Sequence, residues 1–349
     1  MSKKIVDLWE SLVVKAVILP LILYVSNIFP PGEVRLRKIN KLLFTFSWGS
    51  KMDRVKREYV SRRECNGGLG FPNVRVFLLM NYWFCVVKVL RNGGVCARMI
   101  AFSGGWLIRR WGWLGRDSSI PVAFVVARDY WVLEKFRVEF KLADLGEGER
   151  DKVKVRKWLI DKEYVCNLKG INASVAGEVW KKMSIYGVTN MQRQIVWMSL
   201  HECLATRAFR KRRDARVSDI CPRMNCGGVE DSEHVFWGCG VAKDVINKSQ
   251  DLVKEITGVK VSEWKMMMYG LGKLEKDKQR VLWLVLCALK EVLWNARNLY
   301  VYKQVSLDSK QCIGLWLSKL YLFFMLDKKK GVNAKGIWKF KKWRMLINN

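Results

Sequence analysis

Residues 221–239 read CPRMNCGGVEDSEHVFWGC and combine three cysteines with one of the two histidines of the chain. The four ligand-type residues follow the spacing C-x4-C-x7-H-x4-C and are Cys221, Cys226, His234 and Cys239. Two close pairs joined by a short loop can wrap a tetrahedral ion, and Gly227-Gly228 lets the chain reverse between them. Three thiolates with one imidazole suit zinc. Because the protein fills all four positions, we predict one structural Zn2+ without an open position for catalysis.

The alternative to a metal site is a set of unrelated buried cysteines. Ten of the 349 residues are cysteine, so one close cysteine pair is expected by chance and proves little. His234 changes that estimate, because the chain has only 2 histidines and this one lies between the cysteine pair and a third cysteine at ligand-like spacing.

The composition favours a folded, helical, intracellular protein that binds polyanions. Half of the residues are hydrophobic, which is enough for packed cores and excludes intrinsic disorder as a description of the whole chain. The low content of proline (6) and glycine (26) disfavours collagen-like, linker-like and turn-dense all-β architectures. We interpret the cysteines as reduced, in the nucleus or cytoplasm. The net charge of +31 predicts attraction to nucleic acid or to an anionic membrane surface.

Apolar residues at helical spacing predict helices along much of the chain. The segments are 36–46, 74–90, 191–209, 241–256 and 281–302. The apolar run over 11–29 is long enough to suggest a membrane span, but Lys15 and Pro20 interrupt it, so a helix buried in a protein core is favoured. A turn is predicted at Gly67–Pro72, since this glycine-rich segment lacks the Lys-Ser/Thr of a phosphate-binding loop. The expected fold class is mostly α, with helical segments around a small CCHC zinc-binding module.

Basic residues on either side of the predicted module are candidates for nucleic-acid binding. One cluster precedes Cys221 and comprises Arg207, Arg210, Lys211, Arg212, Arg213 and Arg216. A second cluster lies in the C-terminal tail and comprises Lys339, Lys341, Lys342, Trp343 and Arg344. Trp237 either stacks on a base or packs around the ion, and both interpretations stay open. A solvated helix or an anionic membrane surface is the alternative for the tail.

The sequence offers little support for catalysis. His201 and Cys203 lie at i and i+2 of a predicted helix, so they point to different faces and cannot form a nucleophile–base pair. No Asp-Asp dipeptide occurs in the chain, and no spaced set of carboxylates would hold two magnesium ions. We therefore expect a protein that is not an enzyme.

Three parts of the chain resemble the C-terminal region of reverse transcriptase polyproteins from non-LTR, LINE-type retrotransposons. The first part is similar to the helices that follow the polymerase palm, and reads KAVILPLILYVSNIFPP (15–31), LLFTFSWGSK (42–51) and RVKREYVSRRECNGGLGFPNV (54–74). The second is similar to the zinc-binding segment of the family, with a slightly longer first spacer, and reads IVWMSLHECLATRAFRKRR (195–213) and CPRMNCGGVEDSEHVFWGCGVAKDV (221–245). The third, LKEVLWNARN (289–298), resembles a short helix that follows the finger.

The resemblance implies a fragment that handles nucleic acid without synthesising DNA. The family's polymerase needs a Tyr/Phe-x-Asp-Asp motif and a further upstream Asp, and neither these nor the endonuclease domain of this branch occurs here. The expected origin is a decayed insertion or a gene model that starts at an internal Met. RNA or single-stranded DNA, and the missing polymerase portion of the same polyprotein, are the expected partners, and a membrane partner is disfavoured. The alternatives are a zinc-braced protein–protein interaction module, or a part of an active polyprotein when joined to that polymerase.

The same resemblance divides the chain into four segments. Residues 1–91 are predicted to be a thumb-like, post-palm helical region and 92–190 a loosely defined helical connector. Residues 191–250 are predicted to be the CCHC module with its basic flank, and 251–349 a C-terminal helical region with a basic tail. No complete polymerase palm is expected.

Overall fold

The computed structural model of the chain describes residues 12–27, 29–111, 126–142, 148–161, 163–272, 274–332 and 338. It is 69% helical. Within these ranges there is no strand or sheet, and one isolated antiparallel bridge joins Ile220 to Val229. The prediction of a mostly α fold is therefore confirmed.

Backbone contacts group the chain into two compact units. The first comprises Met1–Arg62 and Leu69–Tyr164, and the second comprises Arg63–Gly68 and Val165–Asn349. This is a coarser grouping than the four segments inferred from the sequence, which stay a prediction.

The first unit is a cluster of helices around α4. After a π-helical turn at Val14–Ile18, its helices are α1 (Leu19–Ser26), α2 (Glu33–Trp48), α3 (Arg57–Ser61), α4 (Val74–Asn92), α5 (Gly94–Arg110), α6 (Arg128–Phe140) and α7 (Gly148–Asp161). The side chain of Asn73 caps α4 by accepting the N–H of Val76, and the buried Trp83 of α4 meets Trp111 edge to face. None of the described helices is both long and apolar enough to cross a membrane. The apolar N-terminal run is not the buried core helix that the sequence favoured, since Tyr24 and other apolar side chains of α1 are exposed.

The second unit surrounds one long buried helix. Its helices are α8 (Ala173–Lys181), α9 (Asn190–Leu200), α10 (Arg207–Lys211), α11 (Gly240–Thr257), α12 (Trp264–Tyr269), α13 (Lys276–Lys303) and α14 (Ser309–Lys329). Every residue of α13 from Val281 to Trp294 is buried, because α9, α11 and α14 pack against it. The helix predicted over 281–302 is confirmed, and over 281–294 it is buried on all sides.

The segment Arg63–Gly68 belongs to the second unit through contacts at Gly67. The Gly67 carbonyl accepts hydrogen bonds from Trp197 Nε1 (2.9 Å) and pairs with His201 Nε2 (2.7 Å). Gly67 has φ +92°, and a Cβ there would lie 2.7 Å from the Trp180 ring. The predicted turn is thus present, and its backbone lies too close to an indole to carry a side chain.

The helix predicted over 191–209 is interrupted. The helix α9 ends at Leu200, Glu202 adopts a left-handed backbone (φ 52°), and a new helix, α10, begins after Thr206, whose hydroxyl accepts the N–H of Phe209. His201 is therefore a half-buried C-cap residue of α9 and does not lie inside a continuous helix, which the sequence had predicted.

Candidate metal centre

The four predicted ligands converge. Their ligand atoms all lie within 4.8 Å of one another. Cys226 Sγ is 3.3 Å from His234 Nε2 and 3.9 Å from Cys239 Sγ. Zn–S bonds of about 2.3 Å and Zn–N bonds of about 2.0 Å in a tetrahedron place two sulfurs ~3.8 Å apart and sulfur ~3.5 Å from nitrogen. The group therefore has the size and the donor atoms to hold one metal ion.

A tight loop supplies the first ligand pair. Cys221 N donates to Gly228 O (2.8 Å) and Gly228 N donates to Cys226 O (2.7 Å), which closes the loop on itself. Gly227 has φ +59°, as the predicted reversal of the chain requires. A Cβ on Gly228 would lie 2.6 Å from His234 Cε1, so this glycine lets the imidazole pack directly against the loop.

A π-helical turn supplies the second ligand pair. This turn spans His234–Gly238, and Cys239 N donates to His234 O across 2.7 Å. The five-residue separation of the two ligands equals the hydrogen-bond period of a π-helix, so one turn brings Cys239 back beside His234. The Asp231 carboxylate accepts the N–H of His234 (2.7 Å) and fixes the start of the turn.

The pKa values of the ligands shift in different directions. Burial lowers the pKa of His234, although nearby carboxylates oppose this, so the imidazole is neutral at pH 7 and its nitrogen can bind a metal. Burial raises the pKa of Cys226, but hydrogen bonds led by the backbone N–H of Gly240 outweigh it, and the pKa lies below its ordinary value. Burial raises the pKa of Cys221 to about 12, so a metal must displace a proton from this thiol.

A buried ion pair anchors the loop to α13. Glu230, between the two ligand pairs, accepts hydrogen bonds from Arg297 Nε (2.9 Å) and Nη2 (2.6 Å), and both side chains are at most 3% exposed. The same carboxylate accepts the N–H of Arg207 (2.8 Å), and the Glu230 carbonyl accepts that of Ala208 (3.1 Å). One residue thus joins the ligand loop, the N-terminus of α10 and the long central helix.

The basic cluster of residues 207–216 lies on and just after α10, next to the ligand loop. Lys211 pairs with Asp219 (2.9 Å) and Arg216 pairs with Asp214 (2.9 Å), so these two cations are partly neutralised. Residues 211–213 and 216 are exposed, and Arg207 and Arg210 are half-buried.

Aromatic rings pack among these arginines. The Cζ atoms of Arg213 and Arg212 lie 4.5 and 5.5 Å from the centre of the Phe209 ring. The Arg210 guanidinium donates a hydrogen bond to the Tyr302 hydroxyl at the end of α13. Three guanidinium groups of the cluster therefore lie near aromatic rings, although the local sequence contains only Phe209.

The other residues predicted to bind nucleic acid lie in different environments or outside the described residues. Trp237 is half-buried within the π-helical turn, and both interpretations of its role stay predictions. The five tail residues Lys339, Lys341, Lys342, Trp343 and Arg344 lie outside the described residues. Trp338, which directly precedes these tail residues, is 2% exposed and donates to Asp327 Oδ2 (2.8 Å). Its ring is therefore part of the core and not available to a base.

Sequence reasoning missed Glu230, Arg297 and Tyr302. Glu230 and Arg297 are 67 positions apart, and only an arginine inside the buried stretch LKEVLWNARN hinted that α13 needs an acidic partner. Tyr302 belongs to the run NLYVYK, residues 298–303, in which two tyrosines precede one lysine.

The sequence was also compared with known proteins. No model of a protein family matches the chain, and no curated protein matches it either.

Proposed function

We propose that this chain is a non-catalytic nucleic-acid-binding protein in which a structural Zn2+ braces a basic surface. The observation that carries the proposal is the attachment of α10 to the ligand loop. Glu230 lies between the two ligand pairs and binds the backbone of Arg207 and Ala208 at the start of α10. A metal ion that orders the loop therefore also orders the arginines.

The donor set supports zinc as the metal. Three sulfurs and one imidazole nitrogen are soft and borderline ligands, which disfavours magnesium and calcium. Four protein ligands complete a tetrahedron, and this is the arrangement of structural zinc sites.

The charge supports a nucleic acid as the partner. Phosphates attract arginines regardless of base sequence, and the chain carries a net charge of +31. We therefore propose RNA or single-stranded DNA as the ligand, bound with little sequence preference. The logarithm of the affinity then falls linearly with the logarithm of the salt concentration.

The resemblance to LINE-type reverse transcriptases supports the same proposal. Its zinc-binding stretch supplies the four candidate ligands, and LKEVLWNARN supplies Arg297, which contacts Glu230. We propose that the chain corresponds to the C-terminal region of such a polyprotein, acting on nucleic acid alone or beside a polymerase portion. Primer extension by the purified chain would contradict the non-catalytic part of this proposal.

Charge reversal at α10 tests the proposal. Changing Arg210, Lys211, Arg212 and Arg213 to glutamate is expected to abolish binding of a single-stranded oligonucleotide in fluorescence anisotropy at low salt. A matched control changes four exposed lysines elsewhere, Lys254, Lys260, Lys276 and Lys278, to glutamate, and alters the net charge equally. The control is expected to bind within about threefold of wild type, since phosphate contacts depend on local charge.

Two results would contradict the proposal. One is equal loss of binding in both variants, which would indicate a general effect of net charge. The other is wild-type affinity that does not change between low and high salt. Circular dichroism and metal content, measured on each variant, show whether the fold is retained.

A second candidate function is protein binding, favoured by an exposed apolar stripe in the first unit. Val95, Met99 and Phe102 lie at i, i+4 and i+7 on α5, and all three are exposed. In this case the zinc site braces the fold and the positive charge is incidental. The α10 charge reversal separates the candidates, because unchanged oligonucleotide binding supports protein binding.

A further inference from the structure

We propose that Tyr302 is the base-stacking residue of the α10 surface and gives it a preference for single strands over duplexes. This inference rests on the proposed function and adds the chemistry by which the surface recognises its ligand. It follows from the position of one exposed ring beside a cluster of arginines.

Tyr302 lies on the last turn of α13, which ends at Lys303. The residue is 57% exposed. The Arg210 guanidinium donates a hydrogen bond to the Tyr302 hydroxyl, and Arg210 Cζ lies 5.7 Å from the ring centre. Because this hydrogen bond holds the guanidinium at the hydroxyl end of the ring, most of the ring surface remains accessible.

The other aromatic rings near the arginines are less suited to a base. Phe209 is half-buried, and two guanidinium groups lie within 5.5 Å of its centre. Tyr300 is half-buried, and Arg223 Cζ lies 5.9 Å from its centre. Tyr302 is thus the most exposed of these three rings.

An exposed tyrosine beside arginines matches the chemistry of an unpaired nucleotide. A base presents a π-face that stacks on a tyrosine ring irrespective of sequence, and its phosphate binds a guanidinium. In a duplex the base faces are covered by neighbouring pairs, so only the phosphate contacts remain. The Arg210–Tyr302 pair therefore favours strands with unstacked bases.

Three DNA probes of equal length separate stacking from charge. They are single-stranded oligo-dT, a duplex, and a single strand of abasic sites that keeps the phosphates but lacks bases. Tyr302→Leu is expected to weaken oligo-dT binding by about tenfold, the order of loss found when a base-stacking aromatic is removed. Its affinity for the duplex and for the abasic strand is expected to change by less than twofold.

Two variants serve as controls. Tyr302→Phe keeps the ring and removes the hydroxyl that Arg210 contacts, so it is expected to retain most of the oligo-dT affinity. Tyr186→Leu removes another exposed tyrosine that has a cationic neighbour, Lys330, 3.6 Å from its ring centre, and is expected to bind oligo-dT like wild type. The ratio of oligo-dT to abasic affinity in one preparation is the readout, since it does not depend on the folded fraction.

The possible results distinguish this inference from the proposed function. If Tyr302→Leu binds oligo-dT like wild type while the α10 charge reversal abolishes binding, the stacking role is overturned and nucleic-acid binding stands. Equal losses on oligo-dT and on the abasic strand also overturn it, because Tyr302 would then act only by positioning Arg210. If wild type binds none of the three probes at low salt, the proposed function and this inference both fail.

Discussion

At the scale of single residues, the ion pair between Glu230 and Arg297 fixes the ligand loop on α13. Two charges at most 3% exposed are costly to separate, because an unpaired charge would remain in a low-dielectric interior. Replacing either residue by an uncharged one therefore leaves its partner as an unpaired buried charge, which destabilises the fold more than the loss of a surface ion pair does.

The variant Arg297→Met is expected to destabilise the protein by about 3–5 kcal/mol, the range found when one partner of a buried pair is removed. A suitable control is Lys169→Met, which breaks the more exposed Lys169–Glu233 pair (3.2 Å) and is expected to cost less than about 1 kcal/mol. Urea unfolding measures both changes. Equal, small changes would contradict the anchoring role of Arg297.

Two buried lysines hold the C-terminal end of α12. Lys290 Nζ donates to Met268 O (2.8 Å), and Lys182 Nζ donates to the carbonyls of Tyr269 (3.0 Å) and Gly270 (2.8 Å). These carbonyls carry the negative end of the helix dipole, which favours the cations. Burial nevertheless lowers the pKa of each lysine to about 8.

This shift predicts stability that rises with pH between 8 and 9. The folded state releases protons from Lys182 and Lys290 near pH 8, whereas unfolded lysine keeps its proton up to about 10.5. The unfolded state therefore binds more protons in this window, and the free energy of unfolding increases by about 1 kcal/mol for each lysine. Above pH 9 the free energy of unfolding rises less steeply, because burial raises the pKa of Cys287 to about 12 and only the unfolded thiol ionises.

Denaturant unfolding of wild type and of Lys182→Met between pH 7.5 and 9 measures this effect. In Lys182→Met the free energy of unfolding is expected to rise less with pH than in wild type. Lys181→Met, which changes an exposed neighbour, is expected to show the full increase. A wild-type stability that falls across this window would refute the assignment of the lysines as the source.

At the scale of elements, the spacing of apolar residues predicted where helices occur more accurately than the residues at which they begin and end. The buried helix α13 and the helices α4 and α11 follow the periodicity of their apolar residues. The break between α9 and α10 was missed because Glu202 takes a left-handed backbone, and no glycine or proline signals it.

The turn at Arg63–Gly68 offers a test at the same scale. Gly67→Ala places a Cβ 2.7 Å from the Trp180 ring at a φ of +92° and is expected to cost more than about 2 kcal/mol. Gly258→Ala has a similar φ of +85° with open space around its Cβ, so it is expected to cost only about 1 kcal/mol. Thermal unfolding of the two variants isolates the steric part of the destabilisation. Equal losses of stability in both variants would argue against close packing at Gly67.

For the candidate metal centre, the sequence identified the four ligand residues but not the contact that anchors the ligand loop to α13. The spacing identified four residues whose ligand atoms do come together, because ligands on one short segment need only a loop and a turn. The contact of Glu230 with Arg297 depends on tertiary packing across 67 positions, which no local pattern encodes.

At the scale of the whole molecule, part of the charge of +31 lies on the basic surface beside the candidate metal centre. The basic surface on α10 depends on the ligand loop for its position, whereas the core around α13 is built mainly from apolar side chains. Loss of the metal is therefore expected to disorder the loop and α10 while the helices around α13 persist. Hydrogen exchange with and without a chelator distinguishes this from global unfolding.

The most direct test of the account is the metal content of the purified protein. We expect about one zinc ion per chain in the wild type and almost none in His234→Ala, because structural sites need all four ligands. His201→Ala, which removes the other histidine of the chain, is expected to retain zinc, since His201 is not one of the four candidate ligands and its Nε2 pairs with the Gly67 carbonyl. Wild-type protein purified with zinc present but holding none, or His234→Ala holding as much as wild type, would contradict the account.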